Sequence, residues 1–143
     1  TNIAIGCGTT PQLKDLQALY DEYRDESFVV LAFPSADFAP ADKREVDSAA
    51  LHKFCKMKYG VSFPVFWPDH VTGEGKQTVF RFLTEHSPEE MQGEVGFNFE
   101  KFLIGKDGTV RERFGPFTGA MSHRLKSAIE KLIAEEGSEK IET

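Results

Sequence analysis

Apolar positions along this chain recur first at helical and then at strand spacing, and the alternation repeats to the C-terminus. From Pro11 to about Arg24, the residues Leu13, Leu16, Leu19, Tyr20 and Tyr23 fall on one face of a helix. Phe28-Val29-Val30-Leu31-Ala32-Phe33 is a continuous apolar run stopped by Pro34, as expected of a strand buried on both faces. A polar segment from Ser35 to Arg44 follows. A second helix is predicted from about Glu45 to Tyr59, with Val46, Ala50 and Phe54 turned inward.

Val61 to Phe66 reads as a short strand carrying Pro64 at an edge or loop position, and Gln77 to Leu83 as a short helix. Phe99 to Ile104 and Thr109 to Phe114 flank Lys106-Asp107-Gly108, a strong hairpin signal. Leu125, Ala128, Ile129, Leu132 and Ile133 repeat at helical spacing before an acidic tail. Helices alternating with strands predict an α/β fold whose central mixed sheet is flanked by helices. With a C-terminal hairpin and closing helix, the order looks like the thioredoxin fold. Residues 1–143 are expected to form a single domain, incomplete at its N-terminus because the chain opens almost at once on a core strand.

A hydrophobic content of 40% and a charged content of 28% are ordinary for a globular chain. The net charge of −6, with no Lys/Arg cluster, argues against nucleic acid as a partner. No apolar run approaches the roughly 18–20 residues that a membrane span needs. Cys7 and Cys55 are the only cysteines, and neither has a Cys or His neighbour at metal-ligand spacing, so no metal is expected. His52, His70, His86 and His123 are scattered and read as surface residues. Arg113 and Lys101 read as ordinary charge on a strand surface. Targeting information is absent, and a cytoplasmic location is only the default.

The chemistry concentrates on Cys7, where Asn2-Ile3-Ala4-Ile5 turns through Gly6 and Gly8 into the first helix. Thr10 suits the N-cap and Pro11 the first helical position. The unpaired N–H groups and dipole of that helix start favour thiolate over thiol. The plain alternative is a small buried hydrophobe at a strand end.

Four runs, in order and in register over nearly the whole chain, resemble the glutathione peroxidase family. They are Asn2-Ile3-Ala4 with Cys7-Gly8-Thr9; Leu31-Ala32-Phe33-Pro34-Ser35; Phe54-Cys55-Lys56-Met57-Lys58-Tyr59-Gly60-Val61-Ser62-Phe63-Pro64; and Phe97-Asn98-Phe99-Glu100-Lys101-Phe102-Leu103-Ile104 with Asp107-Gly108. The resemblance implies a peroxidase without a cofactor, with Cys7 as the peroxidatic residue in cysteine rather than selenocysteine form. Its thiolate attacks the peroxide O–O bond and becomes a sulfenic acid. The family surrounds this residue with a glutamine, a tryptophan and an asparagine. Asp37 stands at the glutamine position and Phe97 at the tryptophan position, while Asn98 is kept. Phe97 preserves an aromatic wall but lacks the indole donor. An ionised Asp37 would oppose thiolate formation, act as a general base, or be neutralised by a nearby cation.

Cys55 matches the resolving cysteine of members that form an internal disulfide reduced by thioredoxin. Lys53, Lys56 and Lys58 either depress its pKa or solvate the helix; the alternative is a free cysteine with Phe54 in the core. The connection from Thr84 to Gly96 is shorter than in the family's tetrameric, glutathione-using members. The resemblance therefore implies a monomer, open to hydrogen peroxide and to bulky organic or lipid hydroperoxides, recycled by thioredoxin in preference to glutathione. A peroxide sensor or thiol relay, and a catalytically weakened relative, are the competing readings.

Overall fold

The structure is a computed structural model that describes residues 1–3, 12–39 and 47–135. Strand β1 (Asn2–Ile3) pairs in parallel with β2 (Phe33–Pro34), Asn2 opposite Phe33 and Ile3 opposite Pro34. Helix α1 (Gln12–Tyr23) lies between them in sequence, buries Leu13, Leu16, Leu19 and Tyr23, and matches the expected span. Then come α2 (Ser48–Tyr59), α3 (Thr78–Glu85), a 3-10 turn (Glu89–Met91), the hairpin β3 (Lys101–Ile104) and β4 (Val110–Phe114), and α4 (His123–Ala134).

Backbone hydrogen bonds join these pieces into one mixed layer. Ala32 donates to Pro64 at 3.0 Å and accepts from Phe66 at 3.0 Å, a single parallel bridge that is all that forms of the strand expected over 61–66. Phe99 donates to the Asn2 carbonyl at 2.8 Å, so the chain leading into β3 lies on the other side of β1. The antiparallel hairpin then closes this side, with a register shift between Leu103 and Ile104. The result is the expected α/β, thioredoxin-like arrangement.

Two apolar cores hold it. The larger joins Ile3 of β1, Leu13, Leu16 and Leu19 of α1, Leu51 and Cys55 of α2, and Leu125, Ala128 and Ile129 of α4. The smaller joins Phe33, Val71, Phe80, Leu83, Val95 and Val110 around α3. Among the described residues, no helix is long and apolar enough to cross a membrane.

Two expectations are corrected. The 28–33 run is not buried on both faces: Val30 and Ala32 point into the core, whereas Val29 is 50% and Leu31 39% exposed. These two line a cavity of about 310 Å³ that also meets Phe102 and Ile104, so one side of this segment is open. In α2 the inward residues are Leu51 and Cys55, while Ala50 and Phe54 face outward. The third expected inward residue of that helix, Val46, lies outside the described residues.

Candidate active site

Cys7 lies outside the described residues, but both ends of its segment are fixed. Upstream is β1, held between β2 and residues 99–100; downstream is α1. Asn2, fully buried, is the pin. Its Nδ2 donates to the Phe97 carbonyl at 3.0 Å, and its Oδ1 accepts from the Glu100 N–H at 3.0 Å. These bonds bracket Asn98, which is itself buried. Phe99 closes the turn in the left-handed region (φ 66°), an uncommon conformation for a bulky side chain that the surrounding bonds maintain. The strand leading toward Cys7 and the turn carrying Asn98 are therefore one unit.

An Asn2→Ala change leaves the Phe97 carbonyl and the Glu100 N–H without these partners in a buried setting. It should cost about 2–4 kcal/mol, read as a lower midpoint in urea unfolding.

The turn after β2 carries Asp37. Its own N–H donates to Ser35 Oγ at 3.1 Å. Its carboxylate accepts from His70 Nδ1 at 2.6 Å, from the Val71 N–H at 2.7 Å and from the Thr72 N–H at 3.2 Å. Burial alone would raise the Asp37 pKa, but the His70 bond, the two backbone donors and the imidazole's charge together hold it below the ordinary carboxylate value. The same pairing raises the His70 pKa, first through the hydrogen bond and then through the carboxylate charge. Of the alternatives open for Asp37, neutralisation by a cation fits this geometry. A carboxylate with a lowered pKa and this many donors is a poor general base.

The sign of the linkage is testable. His70 contributes fully below the ordinary imidazole pKa and fades as pH rises through its raised folded value. Asp37 contributes fully above the ordinary carboxyl pKa and fades as pH falls through its lowered folded value. The loss of stability in His70→Ala should thus be larger at about pH 5.5 than at about pH 9. Chemical denaturation at both pH values checks this, and a loss that grows with pH would contradict it.

Phe97 meets the Asp37 turn through its neighbour: the Phe38 and Phe97 rings are 6.0 Å apart, edge to face. On its other side Phe97 lies 6.4 Å from Phe117, whose ring is 81% exposed. Asp37, Phe97 and Asn98 therefore belong to two touching turns, with Phe97 between the Phe38 and Phe117 rings.

Cys55 lies on the core side of α2, only 1% exposed and a free thiol. Burial pushes its pKa up, so the neighbouring lysines do not depress it. Asp47 caps α2 by accepting from the Ala50 N–H, and Gly60 ends it in the left-handed conformation with its N–H donating to Lys56 at 3.0 Å.

Several side chains that read as plain surface have partners. His52 places its two ring nitrogens 2.8 Å from the carbonyls of Ser48 and Val65, tying α2 to the segment beside β2. Arg113 grips the Glu100 carboxylate at 2.7 Å and the carbonyls of Met91, Gly93 and Glu94. Lys101 is 5% exposed and bonded within the fold. No sequence signal marked the Asp37–His70 pair, since its members lie 33 positions apart in irregular segments.

The fold is an α/β domain of the thioredoxin kind, with the Asn98 turn pinned to β1 by Asn2. Comparison with known proteins makes this specific. The family model for glutathione peroxidase matches residues 1–84. The chain is 39% identical over 132 residues to the glutathione peroxidase homolog BsaA of Staphylococcus epidermidis, covering 92% of this chain and 81% of that one. It is 39% identical over 136 residues to the glutathione peroxidase-like peroxiredoxin HYR1 of Saccharomyces cerevisiae, covering 94% of this chain and 80% of that one. Among solved structures, Trgpx in apo form matches with a TM-score of 0.71 and 29% identity, over 95% of this chain and 79% of that one. The chain belongs to the glutathione peroxidase family. It is a thiol peroxidase, an oxidoreductase that reduces peroxides with thiol reductants.

Proposed function

We propose that this enzyme reduces hydrogen peroxide and organic or lipid hydroperoxides through Cys7, resolves the oxidised cysteine with Cys55, and is returned to the dithiol state by thioredoxin. The Cys7 thiolate attacks one peroxide oxygen, the O–O bond breaks, and the departing oxygen takes a proton to leave as water or an alcohol. The Cys55 thiol then attacks the Cys7 sulfenic sulfur, forming the disulfide and releasing water. A dithiol reductant cleaves that disulfide and becomes oxidised in turn.

The observation that carries this reading is the Asn2 pin, five residues before Cys7, which grips both sides of Asn98. It favours a fixed donor, the Asn98 side chain, near the reacting sulfur. Phe97 acts as the apolar wall of the site, continued by Phe38 and Phe117, a surface suited to the apolar part of an organic hydroperoxide. Asp37 acts at one remove, its carboxylate being engaged by His70 and the 71–72 backbone. The enzyme works as a monomer, with thioredoxin favoured over glutathione as its reductant.

Stopped-flow oxidation by hydrogen peroxide tests the first step: Cys7 should react far faster than free cysteine. A rate equal to that of free cysteine would sink the reading and favour a catalytically weakened relative, for which Phe97 lacks the indole donor and Asp37 replaces glutamine. A second reading, a peroxide-driven thiol relay, draws on the burial of Cys55. A resolving thiol that must first emerge leaves the sulfenic acid open to a partner's thiol. Stable mixed disulfides with slow thioredoxin turnover would favour the relay.

A further inference from the structure

Lys101 is a buried ammonium that the reaction as described does not use. It opens β3, three residues after Asn98, and its side chain turns inward rather than to solvent. Its Nζ donates to the Phe99 carbonyl at 2.8 Å, to Gln12 Oε1 at 3.1 Å and to the Pro116 carbonyl at 3.4 Å. Gln12 completes the triangle, its Nε2 donating to the same Pro116 carbonyl at 3.0 Å. Three separate segments thus meet at one cation: the first residue of α1, the turn that holds Asn98, and the loop that carries Phe117.

We propose that Lys101 is a positioning residue for the peroxidatic step, locking the Asn98 turn and the Phe97–Phe117 wall to the helix start that follows Cys7. The inference rests on the proposed role of Cys7 and extends it to a residue that touches neither peroxide nor sulfur. An ammonium has three protons and meets three acceptors here, whereas a neutral amine can donate to only two of them. Losing the charge also weakens every remaining bond, because charge-assisted hydrogen bonds are roughly twice as strong as neutral ones.

Deprotonation is within reach. Burial lowers the Lys101 pKa to about 8, with the Glu100 carboxylate pushing the other way. The charged group that bears on it is Glu100, itself held by Arg113. The clamp should therefore slacken as pH rises past about 8.

The test is the second-order rate of Cys7 oxidation by hydrogen peroxide, measured from about pH 6 to about pH 10 in wild-type protein, Lys101→Met and Gln12→Leu. The wild-type rate should fall on the alkaline side. Folded Lys101→Met should be about tenfold to a hundredfold slower at neutral pH, the scale expected of a misplaced catalytic group, and should lose the alkaline fall. Gln12→Leu, which cuts only the link to α1, should be slowed severalfold and keep the alkaline fall. This variant decides the matter if Lys101→Met does not fold.

A wild-type rate and profile in folded Lys101→Met, or in Gln12→Leu, would overturn the proposal. Wild-type protein that does not react through Cys7 at all would instead overturn the functional reading beneath it.

Discussion

A Cys7→Ser enzyme is expected to lose peroxide reduction by on the order of a thousandfold or more, because a serine hydroxyl is not ionised at neutral pH and is a far weaker nucleophile toward the O–O bond. Affinity for the substrate contributes little to this loss. In the proposed step a sulfur lone pair displaces hydroxide or an alkoxide from the peroxide, and removing the nucleophile removes that covalent route. The environment of the segment argues in the same direction. β1 and α1 hold its two ends, and a helix start supplies unpaired N–H groups that favour an anion. Because Asn2 and Gln12 lie outside the substituted position, Cys7→Ser should fold with wild-type stability. The NADPH-coupled assay and the unfolding midpoint, measured on the same preparation, separate loss of chemistry from loss of structure.

The second large effect is expected at Cys55. Cys55→Ser should retain the first oxidation of Cys7 at close to the wild-type rate, since its buried side chain has no part in the proposed attack on the peroxide. Steady-state turnover with thioredoxin should nevertheless fall by about tenfold or more, equal to at least about 1.4 kcal/mol in the limiting barrier. The reason is geometric: a disulfide needs Cα atoms within about 7 Å, and a thiol that is 1% exposed must first be released from its packing. In the proposed cycle the unit that opens is α2, bounded by its caps at Asp47 and Gly60. Substitutions that stabilise α2 should slow disulfide formation without slowing the first oxidation, an opposition that a rigid-body mechanism would not produce.

Helix α1 and the hairpin were legible because their signals are local. Leu13, Leu16 and Leu19 mark one face, and Lys106-Asp107-Gly108 leaves little alternative to a turn. Helix α2 shows where locality fails. Its inner stripe runs through Leu51 and Cys55, one position away from the stripe through Ala50 and Phe54 that the sequence favours. Phe54 finds partners outside the core instead, its ring 5.7 Å from Tyr59 and under the Lys58 ammonium at 5.5 Å. The 61–66 segment carries strand-like residues, but only Val65 bridges to Ala32.

The candidate site divides in the same way. Motif order pointed to Asp37, Phe97 and Asn98, and their two turns do meet through Phe38 and Phe97. What those residues are bonded to was hidden, because Asp37 with His70, and Asn2 with residues 97–100, are long-range pairs with no periodic signature. Lys101 was misread for a related reason. A charged residue in a strand looks like surface until its three acceptors, one two residues upstream and two on distant segments, are seen to converge.

The most direct measurement is the intact mass of the reduced enzyme after one equivalent of hydrogen peroxide, followed by peptide mapping. A loss of about 2 Da, with Cys7 and Cys55 in one linked peptide, is the predicted result. A gain of about 16 or 32 Da without any linked peptide, or an unchanged mass, would contradict it.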